Sequence, residues 1–255
     1  IHPTAIVHPN ANIDRGVEIG PFCIVGENVS IGRGSVLQSH VVVNGWTTVG
    51  EECQVFPFAT IGAASQDKKY RGERAYTRVG SRTIVREYVS IQRATGEDQV
   101  TSVGDDCLFL AYVHIAHNCI IGNSVTMSNL AQLAGHCVVE DNAVIGGMTA
   151  LHQFTRVGSY AMVGGASRLT RDVPPFFLVA GNPAEPYGLN SVGLRRAEFS
   201  PEERAEIKRF YKILYGSKLN LSQAIETMKT EAATASGKHM IAFLEGESQQ
   251  GILLK

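Results

Sequence analysis

Four histidines, His114, His117, His136 and His152, are grouped within 39 residues in the middle of the chain. An imidazole titrates near neutrality, so grouped imidazoles suit either proton abstraction or metal ligation. Three of them could hold a zinc ion with an open fourth position. Alternatively, one ring could take a proton from a hydroxyl while a backbone N–H steadies the oxyanion that forms, and Gly135, beside His136, leaves an amide open to that role. The steps from His117 to His136 and from His136 to His152 are long and nearly equal, so either chemistry requires a fold that brings such spacings into register.

The chain has such a period. Aliphatic residues recur every six positions from Ile115 through Ile121, Met127, Leu133, Val139, Ile145, Leu151, Val157 and Val163 to Leu169, and the same count runs back to Ile1. The phase breaks only at Asp67, Glu73 and Glu97 and resumes in step. Six is neither the period of a simple strand nor that of a helix. Glycine often follows the aliphatic position, as at Gly122, Gly146 and Gly164, as expected of a chain that turns after every short strand. The fourth position after the aliphatic residue is small, and all five cysteines, Cys23, Cys53, Cys107, Cys119 and Cys137, occupy it. They read as small buried side chains with free thiols, suited to a reducing compartment.

Three such units form one triangular coil of 18 residues, and side chains one coil apart stack at about 4.8 Å. On that geometry His117, His136 and His152 fall within one position of a common edge, which predicts a ladder of outward-facing imidazoles with His114 one strand earlier. The all-β solenoid is expected over residues 1–173, with inserted loops near 65–77 and 93–101. Pro174 and Pro175 are expected to end it, residues 174–199 to connect, and residues 200–255 to form a small α-helical domain. Its first helix starts at the Ser200-Pro201-Glu202-Glu203 cap and runs to about Tyr215; the others span about 221–235 and 238–245. With 23 basic and 24 acidic residues there is no long-range pull toward nucleic acid. No signal peptide and no membrane-spanning apolar run is visible, so a soluble protein of the cytoplasm without stable membrane insertion is expected.

Particular segments carry a resemblance: Gln66-Asp67-Lys68-Lys69-Tyr70, His114-Ile115-Ala116-His117, Leu133-Ala134-Gly135-His136, Ile145-Gly146-Gly147-Met148-Thr149-Ala150, His152-Gln153-Phe154, Asp172-Val173-Pro174-Pro175 and Gly193-Leu194-Arg195-Arg196. Together they resemble the hexapeptide-repeat acyltransferase family that acylates UDP-N-acetylglucosamine at the start of lipid A synthesis. The resemblance covers essentially the whole chain. It implies a left-handed parallel β-helix, a homotrimer with active sites between subunits, and no metal or cofactor. It also implies transfer of a 3-hydroxyacyl chain from acyl-carrier protein to the sugar 3-hydroxyl. His117 matches the general base and Gly135 the oxyanion donor. His136 matches a ligand-contacting imidazole; His114, His152 and Gln153 match groups that hold the nucleotide sugar or the donor. Asp67 and Lys69 match residues that reach substrate across the subunit boundary, and Arg196 a basic residue near donor phosphate. Gly165, in the column above Gly147, resembles the family's chain-length stop, and without a side chain it would admit a long acyl chain, about fourteen carbons. Met162 is expected to line the same groove.

Two positions depart from the family pattern. Asn118 follows the base where Asp is usual, and an amide would not steady an imidazolium as a carboxylate does. Gln92 stands where His is often found. Three other readings compete: the sister N-acyltransferase, which usually carries an extra N-terminal domain where here the repeat begins at Ile1, or a relative acting on a 3-amino sugar; a zinc carbonic anhydrase of the same repeat type; and a non-catalytic solenoid, which would leave the His ladder and the Lys69 loop without a shared explanation.

Overall fold

A computed structural model describes residues 1–254. Two- to four-residue strands wind into a left-handed parallel β-helix with three faces, followed by a small helical domain. The first face has nine strands from Ile6–Val7 to Arg168–Leu169, the second eight from Asn12–Ile13 to Arg156–Val157, and the third begins at Glu18–Ile19. Register follows the 18-residue coil: His114 pairs with Gln132 and Ile115 with Leu133. Across the first inserted loop Thr60 pairs with Ser90, and across the second Ser90 pairs with His114. Both steps exceed one coil by a whole number of repeat units, so the hydrophobic phase resumes in step.

From Ile19 onward the six-residue aliphatic positions point inward and are almost wholly buried, Ile115, Ile145 and Val163 completely so. Each such side chain contributes about 1.5–3 kcal/mol by leaving water. All five cysteines are free and buried among them, and burial pushes the Cys107 thiol up to about 11. Their thiols donate to main-chain carbonyls, Cys119 Sγ to Ala134 O at 3.2 Å and Cys137 Sγ to His152 O at 3.3 Å.

The repeated glycines serve a different purpose from the one expected. A Cβ on Gly146 would lie 2.5 Å from the Gly165 nitrogen of the next coil, and one on Gly122 would lie 2.7 Å from Asp141 N. Close approach of successive coils therefore excludes a side chain there. The left-handed backbone conformation sits elsewhere, at the corners, and mostly on non-glycine residues such as Asn118 (φ 59°), His136 (φ 62°) and Phe154 (φ 65°). The corner N–H of His136 donates to His117 O and that of Phe154 to Gly135 O one coil below, while Asn118 N donates to Thr101 Oγ1 at 2.8 Å, which offsets the conformational cost.

The prolines do not end the winding. Val173 still bridges Val157, Pro175 packs in a corner against Gly158, and Phe177–Ala180 then adds a parallel strand to the third face beside Met162–Val163. Glu185–Leu189 pairs antiparallel with it, so the segment expected only to connect carries two strands and a short helix α1 (Ser191–Arg196). Three longer helices follow: α2 (Pro201–Gly216), α3 (Leu221–Glu231) and α4 (Ala235–Glu245). The cap of α2 is as the sequence predicts, with Ser200 Oγ accepting from Glu203 N and Glu203 Oε2 from Ser200 N. The break between α3 and α4 falls a few residues off the expected bounds. Buried Glu206 of α2 accepts the Ala233 and Thr234 N–H groups there, which terminates one helix and leaves Thr234 to cap the next.

The helical domain is tied to the coils at two charged points. Asp172, fully buried, accepts from Arg156 Nε at 2.7 Å, while its main chain bridges Ile252. On the other side, His239 of α4 lies 2.9 Å from Glu140 of the second face. The Glu140 hydrogen bond raises the His239 pKa; Glu140, although burial pushes it up, is net lowered by His239 and Ser159. The His239 contribution is thus present below its ordinary 6.5 and lost as pH rises through its folded value. The Glu140 contribution is present above its ordinary 4.5 and lost as pH falls through its folded value. The thermal-stability loss in His239→Ala should therefore peak between those two values and shrink toward pH 8; a pH-independent loss would refute the assignment.

Candidate active site

The first face and its corner with the second carry the site. His117 occupies that corner and Asn118 follows it in the left-handed conformation, which asparagine tolerates well. Asn118 Oδ1 accepts the Thr95 N–H at 2.9 Å and its Nδ2 donates to Thr95 O at 3.1 Å. These two bonds fix the amide, since the flipped rotamer would set donor against donor and acceptor against acceptor. The oxygen so placed lies 2.9 Å from His117 Nδ1, which must carry the ring proton. His117 Nε2 therefore has the free lone pair. The Asn118 side chain does reach the ring, and the second inserted loop supplies the Thr95 main chain that holds it.

Nε2 is presented to a cavity of about 710 Å³ whose walls include Asp67, Lys69, Gln92, His114, His136 and Gln153. Asp67 Oδ2 lies 4.0 Å from His117 Nε2. Asp67 and Lys69, expected to act across a subunit boundary, thus line a cavity with the His117 of their own chain, because the first loop folds back along the corner. His114 shares a 2.7 Å hydrogen bond with Ser90 Oγ, and burial, then His117, lowers its pKa. The His136 pKa is also lowered, chiefly by burial, with His117 and Lys69 adding to the shift and Asp67 opposing it. Both neighbours are thereby biased toward neutrality. Gln92 is a buried polar group in the wall, its Oε1 facing the Gln66 N–H at 3.4 Å.

Gly135 lies against the same ring. A Cβ built on it would be 2.5 Å from both Cε1 and Nε2 of His117. Its N–H has no main-chain acceptor among the described residues.

The imidazole ladder is shorter than the spacing predicts. His117 meets His136 edge to face at 5.2 Å between centroids, but the next ring in the column is Phe154, stacked on His136 at 4.7 Å. His152 is two residues short of that corner position, exposed, with Nδ1 3.2 Å from Gln153 O. Among the described residues no three His, Cys, Asp or Glu side chains converge as a metal site would need. Gly165 does stack on Gly147, its would-be Cβ 3.2 Å from Gly147 O, at the corner joining the third face to the first. Met162 belongs to the third face, paired with Val144 and Leu178, away from the cavity lining. Arg196 is exposed in the last turn of α1 and also lies outside that lining. Phe154 was missed because its ring looked like one more apolar side chain; the signal was its place one full coil after His136.

The same fold and repeat are found in known proteins. Residues 172–253 match the family described as UDP N-acetylglucosamine O-acyltransferase, domain 2, and residues 10–45 match the bacterial transferase hexapeptide of six repeats. A relative from Thermodesulfovibrio yellowstonii, named acyl-[acyl-carrier-protein]--UDP-N-acetylglucosamine O-acyltransferase, is 51% identical over 251 residues, covering 98% of this chain and 97% of its own length. A protein of the same name from Herminiimonas arsenicoxydans is 44% identical, covering 99% and 98%. Among solved structures, the UDP-N-acetylglucosamine acyltransferase of Francisella novicida superposes with a TM-score of 0.97 at 36% identity, covering 100% of this chain and 94% of its own. Fold, repeat and near-full-length identity converge: the chain belongs to the acyl-[acyl-carrier-protein]--UDP-N-acetylglucosamine O-acyltransferase family.

Proposed function

We propose that this chain transfers a (3R)-3-hydroxyacyl group from an acyl-carrier-protein thioester to the 3-hydroxyl of UDP-N-acetylglucosamine, the first step of lipid A synthesis. The observation that carries the reading is His117 in the cavity wall, its Nδ1 held by Asn118 Oδ1, packed against Gly135, whose N–H has no main-chain acceptor among the described residues. In this mechanism Nε2 takes the hydroxyl proton as the sugar oxygen attacks the thioester carbonyl. The Gly135 N–H steadies the oxyanion, the C–S bond breaks, and the imidazolium returns the proton to the departing thiolate. The 4.0 Å between Nε2 and Asp67 Oδ2 can be spanned by one hydroxyl oxygen, which gives Asp67 a role in holding the acceptor. Lys69 supplies positive charge for the nucleotide phosphates. Gln153 lines the cavity, whereas His152 and Arg196 would meet only those parts of donor or nucleotide that extend beyond it.

The proposal includes a homotrimer working in the cytoplasm, where acyl-carrier protein is available. No helix among the described residues is long and apolar enough to cross a membrane. Support for self-association comes from the opposite edge of the first face, where Phe22, His40, Phe58, Tyr88 and Tyr112 stack ring on ring and Leu130 and Met148 continue an exposed apolar column. A second copy seated there would cover this column and close the open side of the face carrying His114. Sedimentation at three chain masses is the expected result, and a monomer would remove this part of the reading.

Mass spectrometry of products from a mixed pool of acyl-carrier-protein donors, offered both UDP-N-acetylglucosamine and its 3-amino analogue, tests the reaction. An ester of the hydroxyl sugar is expected. An amide only, or no acyl product, would overturn the assignment. In the same assay Gly165→Met should move donor preference to shorter chains, because the new side chain would project from the column over Gly147; an unchanged preference rejects Gly165 as the chain-length stop.

A further inference from the structure

The two inserted loops meet at a hydroxyl pair, Ser65 Oγ and Thr95 Oγ1, 2.7 Å apart. From this pair hydrogen bonds run to both sides of His117. On one side Ser65 Oγ accepts the Asp67 N–H at 3.2 Å, and the Asp67 carboxylate faces His117 Nε2. On the other, the Thr95 main chain holds both ends of the Asn118 amide, whose oxygen faces His117 Nδ1. The contacts therefore close a ring: His117, Asp67, Ser65, Thr95, Asn118 and back to His117. We infer that Ser65 and Thr95 are positioning residues that fix the tautomer and orientation of His117 by locking the two loops together.

This rests on the reading of His117 as the base. A merely structural clasp is a poor account of the pair, because the loops are joined independently farther out. Gly96 N donates to Glu73 Oε1 at 2.8 Å, Arg74 makes a two-bonded pair with Asp98, and Arg93 Nη1 donates to Tyr70 Oη at 3.4 Å. Losing one hydroxyl at the Ser65–Thr95 contact leaves these anchors in place. What it releases is the segment that aims Asp67 and Asn118. A displacement of about 1 Å in a catalytic group can cost as much as 10²-fold in rate, and two groups that act as one unit lose activity once, not twice.

Ser65→Ala, Thr95→Val and the double variant test the inference by steady-state kinetics and by ¹⁵N NMR of the His117 ring in the resting protein. Each single change should lower kcat about tenfold with KM altered less than about twofold, a fraction of the misplacement cost above. The double variant should be no slower than the worse single, Ser65→Thr should recover activity, and the Nε2-protonated tautomer should become visible in the Ala and Val variants. The inference is overturned if the singles keep kcat within about twofold of the parent, if the two losses multiply, or if the tautomer does not change. The NMR readout needs no turnover, so it separates this inference from the base assignment, which fails instead if His117→Ala remains active.

Discussion

His117→Ala is expected to lower kcat by about 10²- to 10⁴-fold, the usual worth of a positioned general base, with binding of UDP-N-acetylglucosamine retained. The expectation follows from how much of the site exists to prepare one nitrogen. Asn118 holds the proton on Nδ1, Thr95 holds Asn118, and the neighbouring imidazoles of His114 and His136 have lowered pKa values, so neither competes as a strong base. Removing the ring leaves the Asp67 carboxylate as the nearest possible base, and it is held by a different loop, aimed at the place the ring had occupied. Steady-state kinetics paired with calorimetric titration of the nucleotide sugar separates chemistry from binding. Turnover within about tenfold of the parent, well short of a general base's worth, would show that the proton goes elsewhere.

Gly135→Ala should be nearly as damaging. The added methyl would sit 2.5 Å from two atoms of the imidazole, so the ring must leave Asn118 or the corner main chain must shift. Either movement separates Nε2 from the Gly135 N–H, and the rate should fall by about 10²-fold, in line with an ångström-scale misplacement. Overpacking of this kind also costs about 1–3 kcal/mol of stability. A double variant gives the sharper measurement: with His117 already alanine, the space is empty and Gly135→Ala should no longer destabilise. A stability loss that persists in that background would place the clash elsewhere.

The sequence carried the fold unusually far, and the physical reason is the repeat. Two residues in every six face a narrow core, one usually aliphatic and one small, so Ile115, Leu133 and Leu151 had to stack, and the pairing register followed from counting. The same counting placed His117 beside His136. It placed His152 poorly, because it treats one step along the chain as a small error, whereas at a corner two residues separate an exposed strand end from the stacked column that Phe154 joins. Met162 lies on the strand that leads into the corner holding Gly165, so the pair shares one end of the third face, apart from the cavity around His117. The loops were visible as interruptions at Asp67, Glu73 and Glu97, but not their junction at Ser65 and Thr95, since nothing periodic governs where two irregular segments touch. The strand at Phe177–Ala180 escaped notice because Pro174 and Pro175 read as a stop, although a proline at a corner sacrifices no ladder hydrogen bond.

The last coil has a consequence for how copies of this protein can associate. Each of its three open edges is finished by a segment that belongs to no repeat. Gly181 and Ala184 bond to Arg168 on the first face, Val173 and Ile252 close the second, and Glu185–Leu189 runs against the grain of the third. An unfinished parallel edge would be a template on which another solenoid could dock end to end and grow into a fibre. With its backbone groups already spoken for and its final strand antiparallel, this end offers no such template. End-on growth through this end is blocked, which leaves the first coil, with its three uncovered edge strands, and the flanks of the prism as the surfaces on which copies can meet.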